Sequence, residues 1–168
     1  MNLTDFFAAQ LEREGDRSRR ALERVPEGRN DWKPHERSMP LGYLATLVAM
    51  MPSWVGMAIT RDELDLNPPG APPYRPPQMT TARALLETLD ESLAAGRAAL
   101  RDTTDEHLLT PWRLLVAGRV VAEDPRHVVI GDTFAHLAHH RGQLTVYLRL
   151  NGVPVPALYG PSADDKTF

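Results

Sequence analysis

The sequence predicts an all-α protein, a four-helix bundle in which one long crossover connects the two halves. Two observations lead to this prediction. Apolar residues recur at helical spacing over four long segments, and a run of six prolines within residues 67–77 interrupts the middle of the chain. The 168 residues are enough to bury a hydrophobic core, so we expect a single domain over residues 1–168.

The first two helices are predicted from the spacing of apolar side chains. The first begins at Leu3 and continues to about Val25. The second begins at Ser38, a residue type that caps helix N-termini, and continues to about Val55. Pro52 lies inside this second segment and predicts a kink or an early end, because proline has no amide hydrogen to donate and its ring clashes with the preceding turn.

A proline-rich connector, NPPGAPPYRPP, occupies residues 67–77. Its composition predicts an extended, stiff segment without regular structure. A domain boundary is the alternative interpretation. The residues before the connector form too open a set of elements to fold alone, which favours a crossover between helices of one bundle.

The second half of the chain begins with a third helix, capped by Thr80 or Thr81. In residues 111–125 two short apolar runs flank Ala117-Gly118, which predicts a short hairpin or an irregular loop before the last helix.

The last helix has the clearest boundary signals. Asp124-Pro125 predicts its start, with aspartate as the cap and proline in the first turn. The helix extends from about Arg126 to Leu150 and stops at Asn151-Gly152. The tail that follows contains three prolines and is expected to be extended, either wrapped along the surface or disordered.

Composition excludes several classes of function. The net charge of −3 and the pI near 6.1 give no electrostatic footprint for nucleic acid. The absence of cysteine excludes disulfides and a thiol nucleophile carried by the protein. No signal peptide and no apolar run of membrane-spanning length is apparent, so we expect no membrane association and a cytoplasmic location. Motifs of serine hydrolases and nucleotide-binding enzymes are missing from the sequence.

The stretch FAHLAHHRGQL, residues 134–144, contains three of the six histidines. His136 and His140 are four residues apart and share one helix face, roughly 6 Å apart along the axis, so they can converge on one metal ion. A hydrogen-bonded core pair, an exposed polar face and a catalytic base are the alternatives. His139 points away from this face and is expected to lie outside the site.

A zinc site needs more than two histidines. Asp132 lies on the same face one turn before His136, but it is roughly 12 Å from His140 along the axis. We therefore interpret Asp132 as a partner of His136 or as a polar residue of the first turns. A third ligand should come from a facing helix.

Other residues near the cluster have structural interpretations. Gly142 is costly inside a helix and predicts the close approach of a neighbouring helix. Arg141 and Gln143 are expected to tie the last helix to a neighbour or to the loop before helix two. Trp54 and Tyr147 are interpreted as core or pocket-wall residues. Two tryptophans beside prolines are expected to hold connectors against the bundle: Trp32 and Trp112.

The segments HLAHHRGQLTVYLRLNGVPVPALYGPSADD, DWKPHERSMPLGYLA and PSW resemble the DinB-like superfamily of bacterial four-helix-bundle proteins. The resemblance implies a divalent metal, often nickel or zinc, held by one histidine from helix two and by an HxxxH pair in the last helix. The pair corresponds to His136 and His140. The helix-two position falls within LGYLATLVAMMPSW and corresponds to Leu47.

Leucine cannot coordinate a metal, so this chain departs from the family pattern at a ligand position. Nearby substitutes are poor. Thr46 points to another face, and Met50 and Met51 are soft thioether ligands suited to Cu(I). His35 precedes the helix and is expected about two turns from the level of Leu47.

The resemblance also implies a reaction class, since characterised members resemble thiol S-transferases that use an external low-molecular-weight thiol such as bacillithiol or mycothiol. The first hypothesis is such a metal-dependent transferase, with a pocket for a small-molecule substrate between helices two and four. We expect Leu47, Trp54, Asp132 and Tyr147 to line this pocket. The second hypothesis is a non-catalytic relative that binds a small ligand or a partner and has lost the metal. The family resemblance implies a homodimer under both.

Overall fold

The structure is a computed structural model that describes residues 2–71 and 78–167. Its helices are α1 (Leu3–Leu22), α2 (Leu41–Met50), α3 (Ser53–Thr60), α4 (Ala82–Arg101), α5 (Asp105–Leu108) and α6 (Arg126–Leu150), and its strands are β1 (Glu63–Asp65), β2 (Pro111–Val116) and β3 (Arg119–Pro125). Most of the predicted crossover, residues 72–77, lies outside the described residues.

The protein is mostly helical, but it also contains a three-stranded sheet in the order β1-β2-β3. The expectation of a purely all-α four-helix bundle is therefore not confirmed. The predicted hairpin is present, because β2 pairs antiparallel with β3 around Ala117 and Gly118, whose φ angles of 52° and 75° suit a tight hairpin turn. Strand β1 was not predicted. It has only three residues and exists because it pairs in parallel with β2.

The predicted second helix is divided into α2 and α3. It begins at Leu41, with Pro40 in the cap position, so the prediction of a Ser38 cap is wrong. It breaks at Met51-Pro52, and α3 continues at an angle of 51° to α2, which confirms the predicted effect of Pro52. No single helix in the described ranges is long and apolar enough to cross a membrane, although α2 and α3 taken together meet the length and composition.

The caps of the later helices agree only in part with the predictions. Thr81 caps α4 by accepting a hydrogen bond from the backbone N–H of Ala84 at 3.2 Å. Helix α6 has the predicted bounds and ends at Asn151-Gly152. Its predicted cap is wrong, because Asp124 pairs with Trp112 in the sheet and Pro125 takes the cap position without a side-chain hydrogen bond.

The core lies between α1, α2, α3, α4 and α6 and consists mainly of leucine, alanine and valine side chains. Neighbouring elements approach closely at Gly96, but not at Gly142, where the sequence predicted a close approach. A Cβ atom added to Gly96 would lie 2.9 Å from Leu11 Cδ2 and 3.1 Å from the Pro52 carbonyl oxygen, whereas one added to Gly142 would meet nothing within 4 Å. The predicted close approach at Gly142 is wrong because this residue faces solvent.

Arg126, in the first turn of α6, joins this helix to the end of α3. Its side chain is buried, and Nη1 donates to the carbonyl oxygens of Ala58 at 2.6 Å and of Arg61. Its Nη2 donates to Asp62. The last carbonyl groups of a helix lack intrahelical hydrogen-bond partners. The Arg126 guanidinium group donates hydrogen bonds to carbonyls at the end of α3 and so holds this end against α6.

The C-terminal tail wraps along α1 and α6, as one of the two predicted alternatives states. The carbonyl oxygen of Ala157 accepts from Arg20 Nη1 at 3.2 Å. The Asp165 carboxylate accepts from the backbone N–H groups of Ala157 and Thr167, both at 3.0 Å. Backbone hydrogen bonds therefore hold the tail in one conformation.

Candidate ligand groove and histidine pair

A groove of about 1890 Å³ lies between α2 and α3 on one side and α6 on the other. The C-terminal half of α4, the loop before α5, and strands β1 and β2 complete its walls. Most of its larger side chains are apolar: Leu47, Met50, Trp54, Met57, Leu114 and Val129. The Pro52 break positions this wall, because the 51° bend between α2 and α3 turns both helices around the groove.

Three of the four predicted pocket residues line this groove. Leu47 and Trp54 extend from α2 and α3, and Asp132 extends from α6. No hydrogen bond joins Asp132 to His136 among the described residues, and the Asp132 side chain is exposed.

The fourth predicted pocket residue, Tyr147, lies outside the groove lining. It is 8% exposed and belongs to the core. Its hydroxyl donates to the carbonyl oxygen of Met39 at 3.2 Å, and its ring packs edge-on against Trp32 with centroids 5.4 Å apart. Tyr147 thus ties α6 to the connector before α2.

The structure brings His136 and His140 into direct contact. Their Nε2 atoms are 2.8 Å apart, and their ring centroids are 4.6 Å apart. His136 is exposed and lines the groove beside Trp54, with a centroid distance of 5.8 Å. His140 is buried behind it and does not line the groove, and His139 is exposed on another side of the helix.

Gln143 determines which nitrogen of each imidazole carries a proton. Its Oε1 atom lies 2.8 Å from His140 Nδ1, and an amide oxygen only accepts hydrogen bonds. His140 therefore donates through Nδ1, and its Nε2 accepts from the Nε2–H of His136 when both rings are neutral. The Nδ1 atom of His136 remains as an acceptor at the groove wall.

The pKa of His136 is lowered from its ordinary value. Partial burial is the main cause, because desolvation disfavours the charged imidazolium, and the neighbouring His140 and His139 lower the pKa further. The fold therefore favours the neutral imidazole of His136 over the imidazolium.

The residues present do not fit a metal site built from three protein ligands. In residues 2–71 and 78–167 no cluster of three or more histidine, aspartate or glutamate side chains is arranged to hold an ion. The two Nε2 atoms are 2.8 Å apart, closer than the roughly 3.3 Å between ligand nitrogens around tetrahedral zinc. Leu47 contributes a half-buried isobutyl group to the same groove.

The nearby substitutes have other roles. The Thr46 hydroxyl is buried, donates to the carbonyl oxygen of Gly42 at 2.8 Å and accepts from the Met79 N–H. Met51 is a fully buried core residue. His35 is exposed, and its Nδ1 accepts from the backbone N–H of Arg37 at 3.2 Å.

Two groove residues had no functional interpretation in the sequence. Trp112, expected only to hold a connector, is 6% exposed and lines the groove from β2. Thr103 lines it from the loop after α4. The indole N–H of Trp112 and the hydroxyl of Thr103 are buried and have no hydrogen-bond partner within the described parts of the chain. No local sequence signal identifies these residues, because their place in the groove depends on the packing of β2 and of the loop after α4.

The model of the DinB family matches residues 2–167. The chain belongs to the DinB family. The family match includes the α2–α3 and α6 segments that form the groove. This DinB-family protein is 26% identical over 163 residues to the uncharacterized protein YrdA of Bacillus subtilis (strain 168), covering 96% of this chain and 90% of YrdA.

Two solved structures share the fold of this DinB-family protein. A DinB-like protein from Bacillus cereus ATCC 10987 has a TM-score of 0.68 at 20% identity, covering 91% of this chain and 95% of that one. The DinB-like protein YjoA from Bacillus subtilis has a TM-score of 0.64 at 18% identity, covering 87% and 92%. At these identities the similarity shows the fold alone.

Proposed function

We propose that this DinB-family protein binds a small, mostly apolar organic molecule in the groove. The observation that carries the proposal is the groove itself, whose volume of about 1890 Å³ exceeds the roughly 300–1,000 Å³ of typical ligand pockets. Its walls expose large apolar side chains, and removing this surface from water stabilises a complex by about 25 cal/mol per Å².

His136 supplies a polar contact in this proposal. Its Nε2–H is bonded to His140, and its Nδ1 has no hydrogen-bond partner in the described parts of the chain, so it can accept a hydrogen bond from a hydroxyl or amine of the bound molecule. The His136 ring packs at a tilt against Trp54, with an interplanar angle of 56°, and this contact restricts the imidazole. No step of this binding function requires a metal.

The test uses 2-(dimethylamino)-6-propylnaphthalene, a neutral fluorescent molecule without a carbonyl group. We expect saturable binding of one molecule per chain, measured by fluorescence anisotropy, with a dissociation constant on the order of 10 µM. Ala98→Trp places a large ring in the groove and should weaken binding at least about tenfold, the equivalent of about 1.4 kcal/mol.

Ala94→Trp is the matched control, because Ala94 is exposed on the same helix and does not line the groove. It should bind the probe like the wild type. The proposal is wrong if the wild type shows no saturable binding, or if the two tryptophan variants weaken binding equally.

A metal-dependent thiol S-transferase is the second candidate function. The observation that favours it is the convergence of the His136 and His140 Nε2 atoms, with Gln143 orienting the inner ring. It requires nickel or zinc to bind with two histidines as the protein ligands, and an external low-molecular-weight thiol as co-substrate. Stoichiometric metal after purification would favour this candidate over the first.

A further inference from the structure

Two side chains that line the groove carry hydrogen-bond donors without partners among the described residues. The Nε1–H of Trp112 and the hydroxyl of Thr103 are both buried, and neither has a partner in the described ranges of the chain. Both side chains line the groove. They belong to different elements, since Trp112 lies on β2 and Thr103 follows α4.

Unpaired buried donors are uncommon in folded proteins, because a donor removed from water without a partner loses its hydrogen bond. An indole nitrogen has one N–H to donate and cannot accept. Only an acceptor can satisfy the Trp112 N–H, and a molecule bound in the groove is one source of that acceptor.

The charges around the groove decide which kind of acceptor fits. Three aspartates line the groove: Asp65, Asp102 and Asp132. Among the described residues, Arg61 is the only arginine or lysine that lines it. Helices α3 and α4 also end at the groove. The C-terminal carbonyls of α4 place the negative end of a helix dipole there, whereas the guanidinium group of Arg126 compensates the end of α3. This field opposes a carboxylate or phosphate and leaves a neutral oxygen as the acceptor.

We infer that the molecule bound in this groove is uncharged and has a carbonyl-type oxygen that accepts a hydrogen bond from Trp112 Nε1–H, with the Thr103 hydroxyl as a second contact. This inference rests on the proposed function, because it names the chemistry of the molecule that the groove binds. Both donor atoms are buried at the groove wall, so the inferred contact requires a rearrangement of neighbouring side chains when the molecule binds.

The test compares two probes that differ by one carbonyl. Prodan is the neutral ketone that corresponds to 2-(dimethylamino)-6-propylnaphthalene. In ¹⁵N-labelled protein the three tryptophans give three indole N–H signals, and Trp112→Phe assigns the one from Trp112. We expect prodan to shift the Trp112 signal downfield. The probe without a carbonyl group should cause no such downfield shift.

Affinities give a second readout. Trp112→Phe keeps an aromatic ring and removes the donor, and it should weaken prodan binding roughly fivefold while changing the affinity for the carbonyl-free probe less than twofold. Thr103→Val removes the hydroxyl at similar volume and should act in the same direction, with a smaller loss of about twofold. It also keeps the test decisive if Trp112→Phe does not fold.

The outcomes separate this inference from the proposed function. If neither probe binds the wild type, the groove proposal fails and this inference fails with it. If both probes bind but the Trp112 signal does not distinguish them, the inference is overturned and the groove proposal stands. Equal losses for both probes in Trp112→Phe would likewise overturn it, because the ring would then act only through packing.

Discussion

Helix α6 contains two polar centres in adjacent positions, and their surroundings differ. Arg141 is fully buried, and its Nη1 donates to the Ser18 hydroxyl at 3.0 Å and to the Glu14 carbonyl oxygen at 3.2 Å. Its Nη2 donates to the Glu14 carboxylate and to the Tyr159 hydroxyl. Among the described residues, its neighbour His140 has hydrogen bonds only to His136 and Gln143, both on its own helix.

The difference separates a structural role from a binding role. Arg141 joins α6 to α1 and to the C-terminal tail, as the sequence predicted for this residue. Removing one partner of a buried ion pair leaves an uncompensated charge, so this centre is committed to the fold. Within residues 2–71 and 78–167 the histidine pair forms no hydrogen bond to another element, and its outer member lies at the groove. It is therefore available to a ligand.

The largest expected effect is on the Arg141 centre. Arg141→Met leaves the buried Glu14 carboxylate with Arg17 as its remaining charged partner and should lower the free energy of unfolding by about 3 kcal/mol in urea denaturation. His140→Leu, the adjacent control, should lower it by no more than about 1 kcal/mol. Similar losses for both would remove the distinction between the two centres.

A second pair of variants tests packing at the exposed and buried glycines. Gly142→Ala on the outer face of α6 should raise the free energy of unfolding by up to about 1 kcal/mol, because alanine has the higher helix propensity and its Cβ has free space. Gly96→Ala should lower it by about 1–3 kcal/mol, because the added Cβ is crowded by Leu11 and the Pro52 carbonyl. Thermal and urea unfolding check both signs.

The smallest expected effect concerns the tail. The backbone N–H of Ala157, followed by Thr167, lowers the pKa of Asp165 from 3.8 to about 2. A carboxyl group whose pKa is lower in the folded state stabilises the fold above pH 3.8 and loses this contribution as the pH falls to about 2. Asp165→Asn should therefore be less stable than the wild type at pH 7, and the gap should narrow toward pH 2. A gap that does not change with pH would contradict this.

The sequence predicted those features that depend on local pattern. The bounds of α6, the break at Pro52 and the Ala117-Gly118 turn each follow from residues that are adjacent or one turn apart. The contact between His136 and His140 follows from their spacing in the same way.

Features that depend on distant contacts were missed. Strand β1 has no periodicity of its own and requires β2. The cap of α3 by Arg126 joins residues more than sixty positions apart, and the unpaired Trp112 N–H arises where β2 meets the groove. Gly142 was misinterpreted because sequence does not reveal which side of a helix faces solvent when its apolar stripe is weak.

The measurement that tests the central claim most directly is the metal content of the wild type and of Leu47→His. Both are incubated with zinc and nickel, desalted and examined by elemental analysis. If the groove functions without a metal because Leu47 occupies the third ligand position, the wild type should retain none and Leu47→His should retain about one ion per chain. Near-stoichiometric metal in the wild type would contradict the account and favour the metal-dependent transferase.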